Sequence, residues 1–208
     1  MLITLDPHHV HVVAEFQMIY ESSFPSPERR PLSELLADQK KGNYEIYLSL
    51  HEHHILGLIT LFQPPTSRIM LLDYFAVHPT ARSQGLGVQL FRELVTLCER
   101  QNKILCLEVE EPISENKEEQ QWRRISFYHR AGARILHDFR YVLPDLDQSG
   151  ITTNMWLMFA GWDIQNTITR KELSAFIEAI FCDLYKRKET DPLLIHNVAH
   201  LPRHFIVQ

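Results

Sequence analysis

Apolar residues along this chain switch between the spacing of strands and the spacing of helices. The run Leu2 to Leu5 predicts a short strand. Val12, Val13, Phe16, Ile19 and Tyr20 then recur at helical spacing, predicting a helix that ends near Glu21. "PSPERRP" is a proline-rich break. "LSELLADQKKGN" predicts a short helix closed by Gly42, whose freedom at positive φ suits a helix C-terminus. "YEIYLSLHEHHILGLITLFQ" reads as two strands around a turn at His51 to His54, a hairpin. "RIMLLDYFAV" is almost wholly apolar, as expected of a strand covered on both faces. A helix follows from about Gln84 to Arg100, with Leu86, Leu90, Leu94 and Leu97 on one face beside Phe91, Val95 and Cys98. "KILCLEVEEP" is another buried strand, and the polar "SENKEEQQWRR" leads into a helix through "RRISFYHRAG". "ARILHDFRYVL" and "TNMWLMFA" predict two more strands joined by the loop "PDLDQSGIT".

The predicted order up to Ala160 is βααβββαβαββ, a layered α/β sheet with a parallel pair wherever a helix crosses over. After Gly161 the pattern changes. "TITRKELSAFIEAIFCDLYKRK" predicts one amphipathic helix, opened by a capping box of Thr169 and Glu172. "ETDPLLIHNVAHLPRHFIVQ" has no clear period. The expected organisation is a domain over 1–160 with a C-terminal helical extension, 161–208, packed on it.

Composition narrows the partners. The 208 residues are 45% hydrophobic, enough for one packed domain. Net charge is −5 and there is no basic tract, so no nucleic-acid partner is expected. The three cysteines form no C-x-x-C pair, which suggests neither a disulfide framework nor a thiolate zinc site. Cys98 and Cys106 read as small buried hydrophobes. "MLITLDPHHVHVV" lacks the basic and apolar regions of a signal peptide, and no apolar run approaches 18 residues. The expectation is a cytoplasmic protein with no membrane partner.

Between the buried strand and the long helix lies Arg82-Ser83-Gln84-Gly85-Leu86-Gly87. The first N–H groups of a helix have no internal acceptors and sit at the positive end of its dipole, which favours anions. Gly85 and Gly87 remove Cβ atoms that would hold a phosphate away, and Arg82 can add a charge-assisted contact. The Lys and Ser/Thr of a nucleotide-hydrolysing loop are missing, so the phosphate would be held and not cleaved. The other reading is that these glycines simply let helix and strand pack closely.

"R-x-x-G-x-G" after a strand ending "FAVHP" resembles the acetyl-CoA binding motif of the GNAT-type N-acetyltransferases. "ISFYHRAGARIL" resembles a later segment of that family, "EVEEP" fits the end of its intervening strand, and "FPSPERRP" resembles the loop between its first two helices. The resemblance covers roughly residues 2–160. It implies a mixed sheet with helices on both faces and direct acetyl transfer from acetyl-CoA, as co-substrate, to an amine. It places pyrophosphate on the amides of Arg82, Ser83, Gln84, Gly85, Leu86, Gly87 and Val88. The pantetheine arm would pair with Phe75, Ala76 and Val77, because the neighbouring strand splays away. Tyr128 matches the proton donor to the leaving thiolate, although a core aromatic would also fit its helix. Asp73, a lone carboxylate in an apolar strand, is the first candidate base, with Glu108 and Glu110 as rivals and no dedicated base as a further reading. Many members have an Asn seven residues before the Tyr; here Gln121 stands there, and Asn116 is reachable only if its loop folds back.

The implied acceptor is a small-molecule or peptide amine, bound by "FPSPERRP", "PDLDQSGIT" and the extension. The acidic balance slightly favours a cationic one, such as a polyamine or an aminoglycoside. The extension could equally serve a homodimer. Two other functions stay open, a non-catalytic acyl-CoA sensing module and transfer of a longer acyl chain. No metal is expected. "HHVH" and "HEHH" lack matched carboxylate spacing and read as surface histidines. "DIQNTITRKEL" lacks the central Gly and closing Glu of a calcium loop and reads as a helix cap.

Overall fold

The computed structural model describes residues 2–146, 151–161 and 168–203. The strands are β1 (Leu2–Thr4), β2 (Tyr44–His51), β3 (His54–Phe62), β4 (Ile69–Val77), β5 (Ile104–Glu110), β6 (Arg134–Ile135), β7 (Tyr141–Leu143) and β8 (Thr153–Ala160). The helices are α1 (Val10–Ser23), α2 (Leu32–Lys41), α3 (Leu86–Arg100), α4 (Gln120–Ala131), α5 (Arg170–Ala179) and α6 (Pro192–Ala199). Among the described residues none of these helices is long and apolar enough to cross a membrane.

The strands form one sheet in the order β1-β2-β3-β4-β5-β8-β6, with β7 also on β8. β4 and β5 run parallel and every other neighbouring pair is antiparallel. The parallel pair is the one joined by α3, since two parallel neighbours need a crossover between them. Alternate residues along each strand feed two cores. Phe91, Leu94 and Cys98 of α3 and Ile125 of α4 pack on one face with Met70, Leu72, Leu105 and Leu107. On the other face Phe16 of α1, Leu35 of α2, and Phe176 and Phe181 pack with Leu71, Cys106 and Phe159. Residues from Leu173 to Leu201 belong to this second core, so the C-terminal segment covers the sheet together with α1 and α2. α3 approaches β3 closely: a Cβ on Gly57 would lie 2.5 Å from Leu90 Cδ1.

Local signals act as the sequence implied at several turns. Gly42 ends α2 at φ 83°. The hairpin turn has positive φ at both central residues, Glu52 (47°) and His53 (69°), the hand that matches strand twist. Thr169 and Glu172 complete a capping box.

The structure differs in three places. "ARILHDFRYVL" is two short strands, because residues 136–140 loop out between the Ile135↔Met158 and Tyr141↔Met155 pairs, with Asp138 at φ 58°. The predicted helix through Lys188 is α-helical only to Ala179, continues as a π turn over Ile180–Leu184 and stops at Tyr185. The unpatterned tail contains α6, where Asp191 caps Leu193 N–H and Pro192 opens the first turn.

Candidate active site

β4 and β5 stay paired only from Ile69↔Ile104 to Leu72↔Leu107. Beyond that point each is held by its other neighbour. Thr60 to Gly57 of β3 hold Tyr74 to Val77, and β8 holds β5 out to Glu110↔Met155. The strands therefore fork and leave residues 73–77 with an open edge toward β5. Buried backbone groups left without partners are costly, so such an edge is a place for another amide chain.

At the mouth of the fork sits the glycine-containing turn. The amides of residues 83–88 find no backbone acceptor among the described residues; Gln89, bonding Gly85 at 3.1 Å, is the first that does. Ser83 (φ 62°) and Gly85 (φ 79°) are left-handed, which turns this row of N–H groups outward at the start of α3. The two glycines differ. A Cβ on Gly85 would meet nothing within 4 Å, whereas one on Gly87 would lie 3.2 Å from the Phe127 ring. Gly85 fits the phosphate reading, and Gly87 fits the packing one. Arg82 turns its Nε to the Val77 carbonyl at 3.0 Å, so one donor braces the strand end.

Inside the fork the strand phase changes. Leu61 pairs Leu72 and Thr60 pairs Tyr74, leaving Asp73 as an extra residue in a β-bulge. Asp73 keeps the α1/α2 face of Leu71, and the bulge brings Tyr74 onto that face directly after it; the Asp73 carboxylate accepts from the Tyr44 hydroxyl and lies 4.0 Å from Arg30 Nη1. Burial pushes the Asp73 carboxyl up to about 6, opposed by Tyr44 and Arg30. Glu108, the first residue of β5 past its pairing with β4, accepts from the Tyr185 hydroxyl, and burial pushes it up to about 7. Glu110 lies farther out and accepts from Gln121 at 3.1 Å. Arg30 is fixed through its backbone: its N–H donates to Tyr74 Oη at 3.1 Å and its carbonyl accepts from Tyr20 Oη at 3.1 Å. Its guanidinium bonds Asp38 at 2.5 Å, which in turn holds Lys41 at 2.8 Å.

Tyr128 lies on the opposite face of the sheet. Its ring packs against Phe91 (5.2 Å between centroids), Phe127 (5.1 Å) and Phe75 (6.5 Å). Burial pushes its hydroxyl up to about 12, with Arg124 pulling the other way, so it keeps its proton at neutral pH. A cavity of about 370 Å³ is lined by Phe24, Pro25 and Glu28 of the "FPSPERRP" segment, by Phe75 to Val77, and by Arg82, Glu110 and Arg124; Asp73, Glu108 and Tyr128 are not among its lining residues.

A family model described as the acetyltransferase (GNAT) family matches residues 13–132. The chain belongs to the GNAT acetyltransferase family. No curated protein matches it. Among solved structures, a GNAT-family protein from Bacteroides thetaiotaomicron is 25% identical at a TM-score of 0.70, covering 90% of this chain and 99% of that one. The ribosomal-protein-S18-alanine N-acetyltransferase of Escherichia coli is 17% identical (TM-score 0.55, covering 81% and 98%). An aminoglycoside 6'-N-acetyltransferase complexed with coenzyme A is 13% identical (TM-score 0.56, covering 76% and 95%). These last two likenesses are of fold alone. The mixed sheet with helices on both faces is the GNAT fold.

Asn116 is exposed in a turn, where it accepts from Glu118 N–H, and Gln121 bonds Glu110 instead of facing an empty edge. His8, His9, His11, His51, His53 and His54 are all exposed, and no group of three or more His, Cys, Asp or Glu suited to a metal occurs among the described residues. The first part of "DIQNTITRKEL" and the centre of "PDLDQSGIT" lie outside the described residues. Sequence reasoning missed Arg30, Tyr44, Tyr141 and Tyr185. Each reaches the fork from a different element, and only Arg30 stood in a segment singled out beforehand.

Proposed function

We propose that the protein is a cytoplasmic acetyltransferase that moves an acetyl group from acetyl-CoA directly to the primary amine of a small-molecule or peptide acceptor. The observation that carries this is the open β4 edge continuing into six outward amides. Ser83 to Val88 would hold the pyrophosphate, and Phe75 to Val77 would hold the arm. A solved structure of the same fold complexed with coenzyme A supports a coenzyme A ligand.

The two protic tasks fall to opposite faces of the sheet. The lone pair of the neutral amine attacks the thioester carbonyl carbon, and Asp73 takes the proton that the nitrogen then sheds. The C–S bond breaks, the thiolate takes the phenolic proton of Tyr128, and proton exchange with solvent restores both side chains. A base that titrates near 6 is mostly ionised at neutral pH yet still basic enough to work. A phenol pushed up to about 12 stays protonated until sulfur needs it. Glu28 and Glu110 in the cavity wall suit an amine-bearing acceptor.

Calorimetric titration with acetyl-CoA, then thiol release across a panel of amines, tests this reading. Binding with turnover on an amine is expected. Absence of binding would sink the reading, and binding without turnover on any amine would point to a sensing module.

A further inference from the structure

Asp73 and Glu108 are the first residues past the last β4–β5 pair, one on each arm of the fork. Both side chains face the α1/α2 side, where Asp73 meets Tyr44 and Glu108 meets Tyr185. The charges around them do not balance. Among the described residues Arg30 is the one cation within 4.0 Å of Asp73, and none lies that close to Glu108. Arg30 is itself shared with Asp38. The remaining groups facing the pair are neutral: Tyr74 on β4, Cys106 on β5, Tyr20 on α1 and Tyr141 on β7. Glu108 Oε1 and Tyr141 Oη are buried, and although neither completes a hydrogen bond of full geometry, the Tyr141 hydroxyl faces Glu108 and lowers its carboxyl as Tyr185 does. Two buried carboxylates sharing part of one guanidinium cannot both ionise cheaply.

We propose that Glu108, anchored by Tyr185 of the C-terminal segment, is a positioning residue for the base, forming with Asp73 a carboxyl pair that holds one proton between its two members. This rests on the reading of Asp73 as the base. While Glu108 keeps the proton, Asp73 is the ionised member that receives the amine's proton. When Glu108 ionises, its like charge raises the proton affinity of Asp73 and strengthens that base. The hydroxyl of Tyr185 donates to Glu108 and sets how readily it ionises. Tyr185 is the residue at which the π turn ends, its N–H bonding Ile180 O at 2.9 Å, and such widened turns recur at functional sites. The C-terminal segment, outside the family match, thereby becomes part of the proton-handling site.

The test compares pH profiles of kcat/KM for the wild type, Glu108→Gln and Tyr185→Phe, with Asp73→Asn alongside. Carboxyl 13C NMR titration of the full chain gives a readout that needs no turnover. Asp73 ionises first and its charge then opposes ionisation of Glu108, so Asp73→Asn should move the Glu108 resonance down by about one pH unit. Glu108→Gln should keep the limb set by Asp73 and lose a second rise of kcat/KM near pH 7, and Tyr185→Phe should move that rise and the Glu108 resonance to higher pH. If Asp73→Asn loses activity but leaves the Glu108 resonance unmoved, the pairing is overturned while Asp73 stands. If Asp73→Asn keeps full activity, the base reading fails first. Should Glu108→Gln not fold, as judged by circular dichroism, Tyr185→Phe decides alone: an unmoved Glu108 resonance and second rise overturn the pairing.

Discussion

The two faces of the fork differ in how they are built. On the α3/α4 face, the amide row and Tyr128 come from two consecutive helices, and an aromatic cluster of Phe75, Phe91 and Phe127 holds the tyrosine. On the other face, Asp73 and Glu108 are held by side chains from β2, the α1–α2 connection and the C-terminal segment. The first face is apolar and presents a group whose proton is firmly held. The second is polar and presents groups that titrate near neutrality. On the proposed reading, the acid and the base are thus separated by the sheet, each in the environment that tunes it.

The largest expected effect lies on the first face. Tyr128→Phe keeps the ring in its cluster and removes one hydroxyl that has no hydrogen-bond partner among the described residues. Catalysis should fall by about 10²-fold or more, the usual scale for a positioned proton donor, with acetyl-CoA affinity unchanged by calorimetry. Unchanged kcat would make Tyr128 a packing residue only and erase the difference between the faces.

Next comes the pH dependence of stability, which probes the second face alone. A carboxyl raised above its unfolded value binds protons more tightly in the folded state. Stability is then fully present below the unfolded value and is lost as pH rises through the folded one. For Glu108 that window runs from its ordinary value of 4.5 to about 7, and the loss is on the order of 3 kcal/mol. Asp73 acts in the same sense between 3.8 and about 6. Urea unfolding should show a less stable protein at pH 8 than at pH 5, and Glu108→Gln should flatten the slope. A flat wild-type profile would mean that the fork is open to solvent.

The same contrast decides what could be read from the sequence. The first face depends on neighbours along the chain: a buried strand, a glycine turn, and leucines at helical spacing. Periodicity and turn chemistry encode such features directly. The second face depends on hydrogen bonds between residues 29 apart (Tyr44 and Asp73) and 77 apart (Glu108 and Tyr185), which no local pattern encodes. Asp73 was visible only as a carboxylate out of place in an apolar strand. The bulge that sets Tyr74 on its face depends on the pairing with β3. α6 was missed for another reason. At eight residues, with Leu193, Leu194, Ile195 and Val198 spread around it, its apolar pattern is too short to show a period, although Asp191 and Pro192 carried the start signal.

A smaller effect concerns how the C-terminal segment is tied to the sheet. Asn197 is fully buried and mimics a strand edge: its Oδ1 accepts from Val142 N–H and its Nδ2 donates to Val142 O, both at 2.9 Å. Asn197→Ala leaves that N–H and carbonyl buried without partners and should lower stability by about 2 kcal/mol. If the segment also serves the fork through Tyr185, the variant should move the second rise of kcat/KM as well. Lost stability with an unmoved rise would separate the two roles.

The smallest pair of effects divides Gly85 from Gly87 within the first face. Gly85→Asn keeps a residue that tolerates φ near 79° and places a side chain in the open mouth of the amide row. Acetyl-CoA affinity should fall about tenfold, equivalent to about 1.4 kcal/mol, with little change in the unfolding midpoint. Gly87→Ala pushes a methyl to 3.2 Å from the Phe127 ring, which is clamped between Phe75 and Tyr128. It should lower stability by about 1 kcal/mol through that crowding. Its effect on affinity should come mainly through displacement of Phe127 and be weaker than that of Gly85→Asn. Equal losses of affinity in both variants would mean that both glycines face the phosphates and that the packing role assigned to Gly87 is secondary.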